Sequence, residues 1–348
     1  MAYSIEILNN IRDNASEEYK SRIPEATQTN IATIGQAFKT YTLLYNEFAS
    51  ALVNKIGKTL IEQKMFKNRL AKYKSGEIID AQDVEDIFVE MAKAEGKYDP
   101  QGTNPLGRRD ALDVKVYYHR ENRQDCYAIS IGDIDFRKVF TSPATLDTFI
   151  KGQINAVYSG DAYDEYLCMK NVLSTYKGEN GRCGYFEYAV PYYEEIDNKT
   201  EWAKTFVKTL RKAVLDLTLE PSTQYNVAGV KTWCEPDNMT LFIHKDVAVE
   251  CDVELLAKAF HQSNTDLKVV PDIVIMDNFG DDVEMQKAYA ILVDRDFLKV
   301  WDTLSHMEPQ RNAQGLFTNY FYHHHQILSA SKFKNAVVLM GMPTGLYG

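Results

Sequence analysis

The sequence predicts an α+β fold, and three observations carry that reading. Amphipathic helical stretches and short apolar strands follow one another without the regular alternation of a parallel sheet. The composition, 45% hydrophobic and 25% charged, is that of an ordinary packed chain. At 348 residues the chain exceeds what one hydrophobic core usually serves, so two or more subdomains are expected, interleaved along the sequence.

The segment up to Pro24 is polar and short in apolar periodicity, which suits an arm or tail more than a core element. From Thr29 the pattern changes: Ile31, Ile34, Phe38, Tyr41, Leu44, Phe48 and Leu52 recur at three- and four-residue steps, the stripe of an amphipathic helix ending near Gly57. Residues 64–95 are charge-segregated. Lys64, Lys67, Arg69, Lys72 and Lys74 come first, and Asp80, Asp83, Glu85, Asp86, Glu90 and Glu95 follow. Charge runs of this kind are usually solvated. The functional alternative is a projecting loop whose basic and acidic halves meet the opposite sign on a neighbouring copy.

Residues 114–120 and 126–131 are β-rich runs returning from that excursion. Ser142-Pro143 is a capped helix start. A broken apolar stripe then runs to Gly178, which makes a helix on the order of 50 Å long, with Gly160-Asp161 as a place where it can bend. Beyond it the pattern predicts strands at 185–193, 239–244, 269–276, 288–293, 317–328 and 336–340, and helices at 202–219 and 253–260.

Charge and cysteine usage narrow the function classes. A net charge of −10 repels a phosphate backbone, so the chain is not expected to grip nucleic acid over its whole surface. Five cysteines without a C-x-x-C pair argue against a disulfide framework or a zinc ribbon and fit synthesis in a reducing, intracellular compartment. The first residues lack the pattern of a signal peptide, and no apolar run approaches a membrane span. No P-loop, no G-x-G-x-x-G and no G-x-S-x-G elbow occurs, so neither an enzyme nor a cofactor is expected.

The most chemical motif is His323-His324-His325. Alternate residues of a strand share a face, so His323 and His325 offer two metal nitrogens, but no third ligand is apparent nearby and no metal is expected. Asp161, Asp164 and Glu165 gather carboxylates on the long helix and read as a solvated face or as inter-subunit ion pairs. The 22 tyrosines and 16 phenylalanines suit interfaces more than a reaction centre.

Three blocks carry a resemblance to a known family. The late block holds Met307-Glu308, Arg311-Asn312, Gly315-Leu316, Asn319-Tyr320-Phe321-Tyr322-His323, Gln326, Leu328-Ser329, Phe333 and Asn335-Ala336-Val337. The other two are His119-Arg120-Glu121-Asn122-Arg123-Gln124, and Leu256-Ala257-Lys258-Ala259-Phe260 followed by Leu292-Val293-Asp294-Arg295-Asp296. In order and spacing these resemble the major capsid proteins of phi29-like small podoviruses. The resemblance implies the HK97-like capsid fold, a self-assembling shell subunit and no catalysis. It implies an N-terminal arm and helix at 1–59 and an extended loop at 60–127. A peripheral domain is implied at 128–200 and 303–348 with its spine helix at 142–177, and an axial domain at 201–302.

Implied partners are further copies in pentamers and hexamers, a separate scaffolding protein, a portal at one vertex, and packaged double-stranded DNA bound without sequence specificity. The implied place is the virion capsid. The sequence ends at Gly348 without an appended immunoglobulin-like domain, so no adhesion role tied to that domain is expected; it begins without a long coiled extension, so scaffolding by a separate protein and no prohead-protease cleavage are expected. The expected inter-subunit contacts are Lys64, Lys67, Arg69, Lys72, Lys74, Asp83, Glu85 and Asp86, with reversal of Lys72 and Lys74 expected to impair assembly and leave the subunit folded. An encapsulin-like compartment shell is the alternative within the same fold.

Overall fold

The computed structural model describes residues 2–40, 48, 66–78, 83–92, 100–101, 112–132, 143–176, 184–196, 199–251, 272–280 and 282–343. In chain order the first half holds α1 (Ala2–Asn14), α2 (Glu17–Arg22), α3 (Ile31–Thr40), β1 (Gly76–Glu77), β2 (Asp83–Val89), β3 (Val114–Arg120), β4 (Arg123–Gly132) and α4 (Pro143–Ser174). The second half holds β5 (Phe186–Pro191), α5 (Lys199–Thr218), β6 (Met239–His244), α6 (Lys245–Glu250), β7 (Asp272–Met276), β8 (Ala288–Asp294), β9 (Leu298–Asn312), β10 (Phe317–Ala330) and β11 (Ala336–Met342). The expected helix at 253–260, the part of the 29–57 helix beyond Thr40 other than Phe48, and Lys64 lie outside the described residues. No described helix is long and apolar enough to cross a membrane.

A five-stranded sheet in the order β5-β11-β8-β6-β7 is covered on both faces. Alternation along β8 shows how. Ala290 and Leu292 face α5, where Trp202, Phe206, Leu210, Val214 and Leu217 form its apolar stripe. Ile291 and Val293 face the other side, among Met169, Leu173 and Tyr176 at the end of α4. Each fully buried side chain of this size contributes about 1.5 to 3 kcal/mol, and the Trp202 indole N–H is satisfied by the Pro191 carbonyl at 2.8 Å. The expected boundaries at 200/201 and 302/303 cut through this architecture. β5 and β11 lie outside 201–302 in sequence yet join the same sheet, β11 pairing with β8 through Val337↔Leu292 and with β5 through Val337↔Phe186.

A second sheet, β1-β9-β10-β4, is built on a long antiparallel hairpin. β9 went unrecognised in the sequence because it is polar and contains Pro309. Proline is tolerated there because, among the described residues, β1 covers β9 only at Trp301 and Asp302, leaving the rest of that edge without a ladder to break. β3 and β4 follow each other directly but enter different sheets, β3 pairing with β2 and β4 with β10. Asn122 fixes the parting: its amide donates to the Leu328 carbonyl and its oxygen accepts from the Leu328 N–H, both at 2.8 Å.

Two expectations need correction. The opening segment is no loose tail: Leu8 and Ile11 of α1 and Tyr19 of α2, with Ile23, are buried against Ile31, Ile34, Phe38 and Phe48 and against Val157 and Tyr158 of α4. Two short helices with narrow stripes hide this, and only the cap, where Ser16 Oγ accepts from the Tyr19 N–H, marks the second. The long helix also runs unbroken through Gly160-Asp161, because Tyr127 packs beside Gly160 and Asp161 is held by partners on the sheet. α4 thus contributes to the clusters of both sheets.

Candidate functional site: a buried charge cluster and an exposed hairpin face

Asp161 and Glu165 sit one turn apart on α4 and fill positions that an apolar stripe would occupy, between the buried Tyr158, Ala162 and Met169. Both carboxylates point at the four-stranded sheet. Arg123 at the start of β4 donates Nη2 to Asp161 Oδ1 at 2.9 Å. His324 of β10 places Nδ1 2.7 Å from the same oxygen and Nε2 3.2 Å from Asp302 Oδ1. Lys74, on the segment leading to β1, sets Nζ between Glu165 Oε2 at 2.9 Å and Asp302 Oδ2 at 2.6 Å. Gln326 donates to Glu165 at 2.8 Å and to Asp302 at 2.6 Å, and Asn68 donates to Glu165 at 2.6 Å.

Three cations, Lys74, Arg123 and His324, thereby meet four anions, the buried or half-buried Asp161, Glu165 and Asp302 and the more exposed Asp125, which accepts from Arg123 Nε at 2.6 Å. The geometry requires His324 to be an imidazolium, since only the doubly protonated ring donates to two carboxylates. Burial opposes its charge, but the hydrogen bonds to Asp161 and Asp302 outweigh burial and raise its pKa above the ordinary value. Burial likewise opposes ionisation of Asp302, yet the hydrogen bond from His324 and the charge of Lys74 hold its carboxyl far below the usual range. Glu165 is lowered against its burial chiefly by Lys74, and Lys74 is raised against its own burial by Glu165 and Asp302. Glu165, Asp302 and His324 place ligand atoms within 4.8 Å of one another, the spacing of a metal site. The Lys74 ammonium supplies the cation between the two carboxylates, so the cluster is a structural ion network.

The second feature is the β2–β3 ribbon. A two-stranded ribbon is marginal alone, and its inner face is anchored. Phe88 stacks on Phe333 with centroids 5.7 Å apart, and the Ser331 hydroxyl donates to Asp86 at 2.7 Å. Lys115 donates to the Ala228 carbonyl at 2.9 Å, and Lys332 lies over the Tyr117 ring. The outer face is charged at its base, where Asp83 stands 3.6 Å from Arg120 and Glu85 accepts from the Tyr118 hydroxyl at 2.6 Å. Farther along it is apolar. Ile87 pairs with Val116 and Val89 with Val114, and these side chains are 44% to 54% exposed.

The expected contact residues therefore divide. Lys67 and Arg69 are exposed and form no ion pair among the described residues. Lys72 pairs with Asp272 and Lys74 with Glu165 and Asp302, all within the chain. Lys74 is thus committed to partners inside the subunit, so its reversal is expected to act on the subunit itself as well. Asp161 and Glu165 are likewise buried and internally paired, not solvated. Their signal in the sequence is that they complete the broken stripe of the long helix at the helical period.

The profile of the Phi29-like phage major capsid protein family matches residues 8–340. The major capsid protein of Bacillus phage B103 is 33% identical over 339 residues, covering 97% of this chain and 73% of that protein. The major capsid protein of Streptococcus phage Cp-1 is 28% identical, covering 95% and 93%. Among solved structures, a chain of the Staphylococcus phage Andhra capsid superposes with a TM-score of 0.62 at 11% identity over 82% of this chain and 86% of that one. A chain of the mature capsid of bacteriophage PhiM1 gives 0.52 at 8% identity over 82% and 90%. These structures carry the HK97-like fold, and the sequence relatives, all phage head proteins, do not favour the encapsulin-like alternative. The chain belongs to the Phi29-like phage major capsid protein family.

Proposed function

We propose that this capsid subunit closes its shell by laying the outer face of the β2–β3 ribbon on a neighbouring copy, with pentamers and hexamers as the repeating units. The observation that carries this reading is the uncovered run of Ile87, Val89, Val114 and Val116 on an anchored ribbon, since contiguous exposed apolar surface marks an interaction site. The ribbon is then the extended loop, and residues 1–59 the arm. The four-stranded sheet with α4 is the peripheral body, and the five-stranded sheet with α5 is the axial body. In this division β5 and β11 move to the axial body and all of β4 to the peripheral one. The energy of the overlap comes from apolar burial, with Lys67, Arg69, Asp83 and Glu85 setting register at its rim.

Small interfaces repeated around every subunit give a shell far more stable than one contact. A separate scaffolding protein guides curvature, a portal occupies one vertex, and the acidic chain encloses double-stranded DNA without adhering to it. Subunits are made and assembled in the bacterial cytoplasm. Electron microscopy of the chain co-expressed with its scaffolding protein tests this. Closed shells are expected, and a small oligomer that stays small when scaffold is present overturns it.

A further inference from the structure

The outward face of the four-stranded sheet carries chemistry that neither the ion cluster nor the ribbon uses. Along β10, residues alternate: Tyr320, Tyr322 and His324 point inward and are buried, while Phe321, His323 and His325 point outward. The ladder sets His323 directly opposite Cys126 of β4 on one side and His306 of β9 on the other. A cysteine and two histidines thus form one row across three strands, where directly opposed Cβ atoms lie about 4.5 to 5.5 Å apart. Glu308 stands next to His306 on the same outward face of β9.

We propose that Cys126, His323, His306 and Glu308 form a binding site for a divalent transition-metal ion of the zinc class. Thiolate, two imidazoles and a carboxylate are the donor set that a tetrahedral zinc ion takes. With bond lengths of about 2.3 Å to sulfur and 2.0 to 2.1 Å to nitrogen and oxygen, neighbouring donors around such an ion stand roughly 3.4 to 3.6 Å apart. Two donor pairs already approach that spacing: Cys126 Sγ lies 3.9 Å from His323 Nε2, and His306 Nε2 lies 3.3 Å from Glu308 Oε1. The pairs are joined by the direct cross-strand register of His323 with His306. The two pairs stand apart in the structure, since the four donors do not yet lie within 4.8 Å of one another, and metal binding draws them together by side-chain rotation. Cys126 is exposed, and His306 and Glu308 are 55% and 70% exposed, so the rotation meets little packing resistance. His325 occupies the next row, opposite Gln124 and Leu304, which offer no comparable ligand set.

Cobalt(II) titration of the purified chain tests the site, because a thiolate–cobalt bond gives a charge-transfer band that carboxylates and imidazoles do not. One equivalent of cobalt is expected to bind with that band, and zinc is expected to displace it. Cys126→Ser is expected to abolish the band, and His323→Asn or His306→Asn to weaken binding at least about tenfold. His325→Asn is expected to leave binding unchanged. Circular dichroism of each variant, matched to the parent chain, separates loss of ligand from loss of fold. A band that is absent at stoichiometric cobalt, that survives in Cys126→Ser, or that falls equally in His325→Asn overturns the assignment.

Discussion

The base of the extended segment and the ribbon it leads to handle exposed chemistry in opposite ways. At the base, Lys74 turns its charge inward, where Glu165 and Asp302 hold it between the spine helix and the four-stranded sheet. On the ribbon, Ile87 and Val116 turn apolar area outward, where about half of each side chain stays exposed among the described residues. The base is fixed by groups that lose much if parted, since a buried charge left without its partner costs more than the pair contributes. The ribbon leaves its gain to be realised against another copy. The difference teaches that charge and apolar surface have exchanged their customary places: ions hold the subunit's joint, and hydrocarbon reaches out to the neighbour.

Removing the clamp gives the largest expected loss of subunit stability. Lys74→Ala leaves the buried Glu165 without its cation and Asp302 with the His324 cation alone, and is expected to cost about 3 to 5 kcal/mol in urea unfolding of the isolated subunit. A loss under about 1 kcal/mol would show that the base is no clamp.

The next effect is pH-dependent. Asp302 and Glu165 are depressed, so their contribution is present above the unfolded carboxylate range, about pH 4, and is lost as acid protonates them. His324 is raised, so its contribution is complete below about pH 6.5 and fades as pH climbs through its folded value. Urea midpoints are expected to peak between these limits. His324→Gln is expected to lower the peak by about 1.5 to 3 kcal/mol, the scale of hydrogen bonds to charged groups, and to remove the alkaline decline. An unaltered alkaline decline in that variant assigns it to another group.

On the ribbon the comparison inverts. Val116→Asp is expected to change subunit stability by no more than about 0.5 kcal/mol while shell yield, counted by electron microscopy, collapses. Normal yield would remove the apolar face from the interface. The smallest effect belongs to the rim. Lys67→Glu with Arg69→Glu is expected to slow assembly in low salt and to leave it unchanged in high salt, where exposed charges are screened. Light scattering at two ionic strengths measures this.

What the sequence revealed follows the range of the interaction that forms each part. α5 and β6 are readable because their periodicity is complete within one stretch, Trp202, Phe206 and Leu210 in the helix and Leu241 and Ile243 in the strand. The ion network is not, because Lys74, Arg123, Asp161, Asp302 and His324 come from five distant segments, and a buried aspartate looks like a solvated one until its cation is placed beside it. β9 hid for the same reason: its residues become a strand because β10 pairs with them. The histidine run shows both cases, since alternation is visible in the sequence, whereas the registers that bring Cys126 and His306 to His323 are not.

The position of β11 sets an order in time. Among the described residues it is the last strand, yet it lies between β5 and β8, buried along nearly its whole length. Until the ribosome has released it, β5 and β8 each present an unpaired edge, the kind of edge that recruits foreign strands. The five-stranded sheet therefore cannot close during most of synthesis, and a truncated chain lacks the strand that unites it. Translation itself becomes a proofreading step: only a chain read through Met342 offers the growing shell a finished sheet.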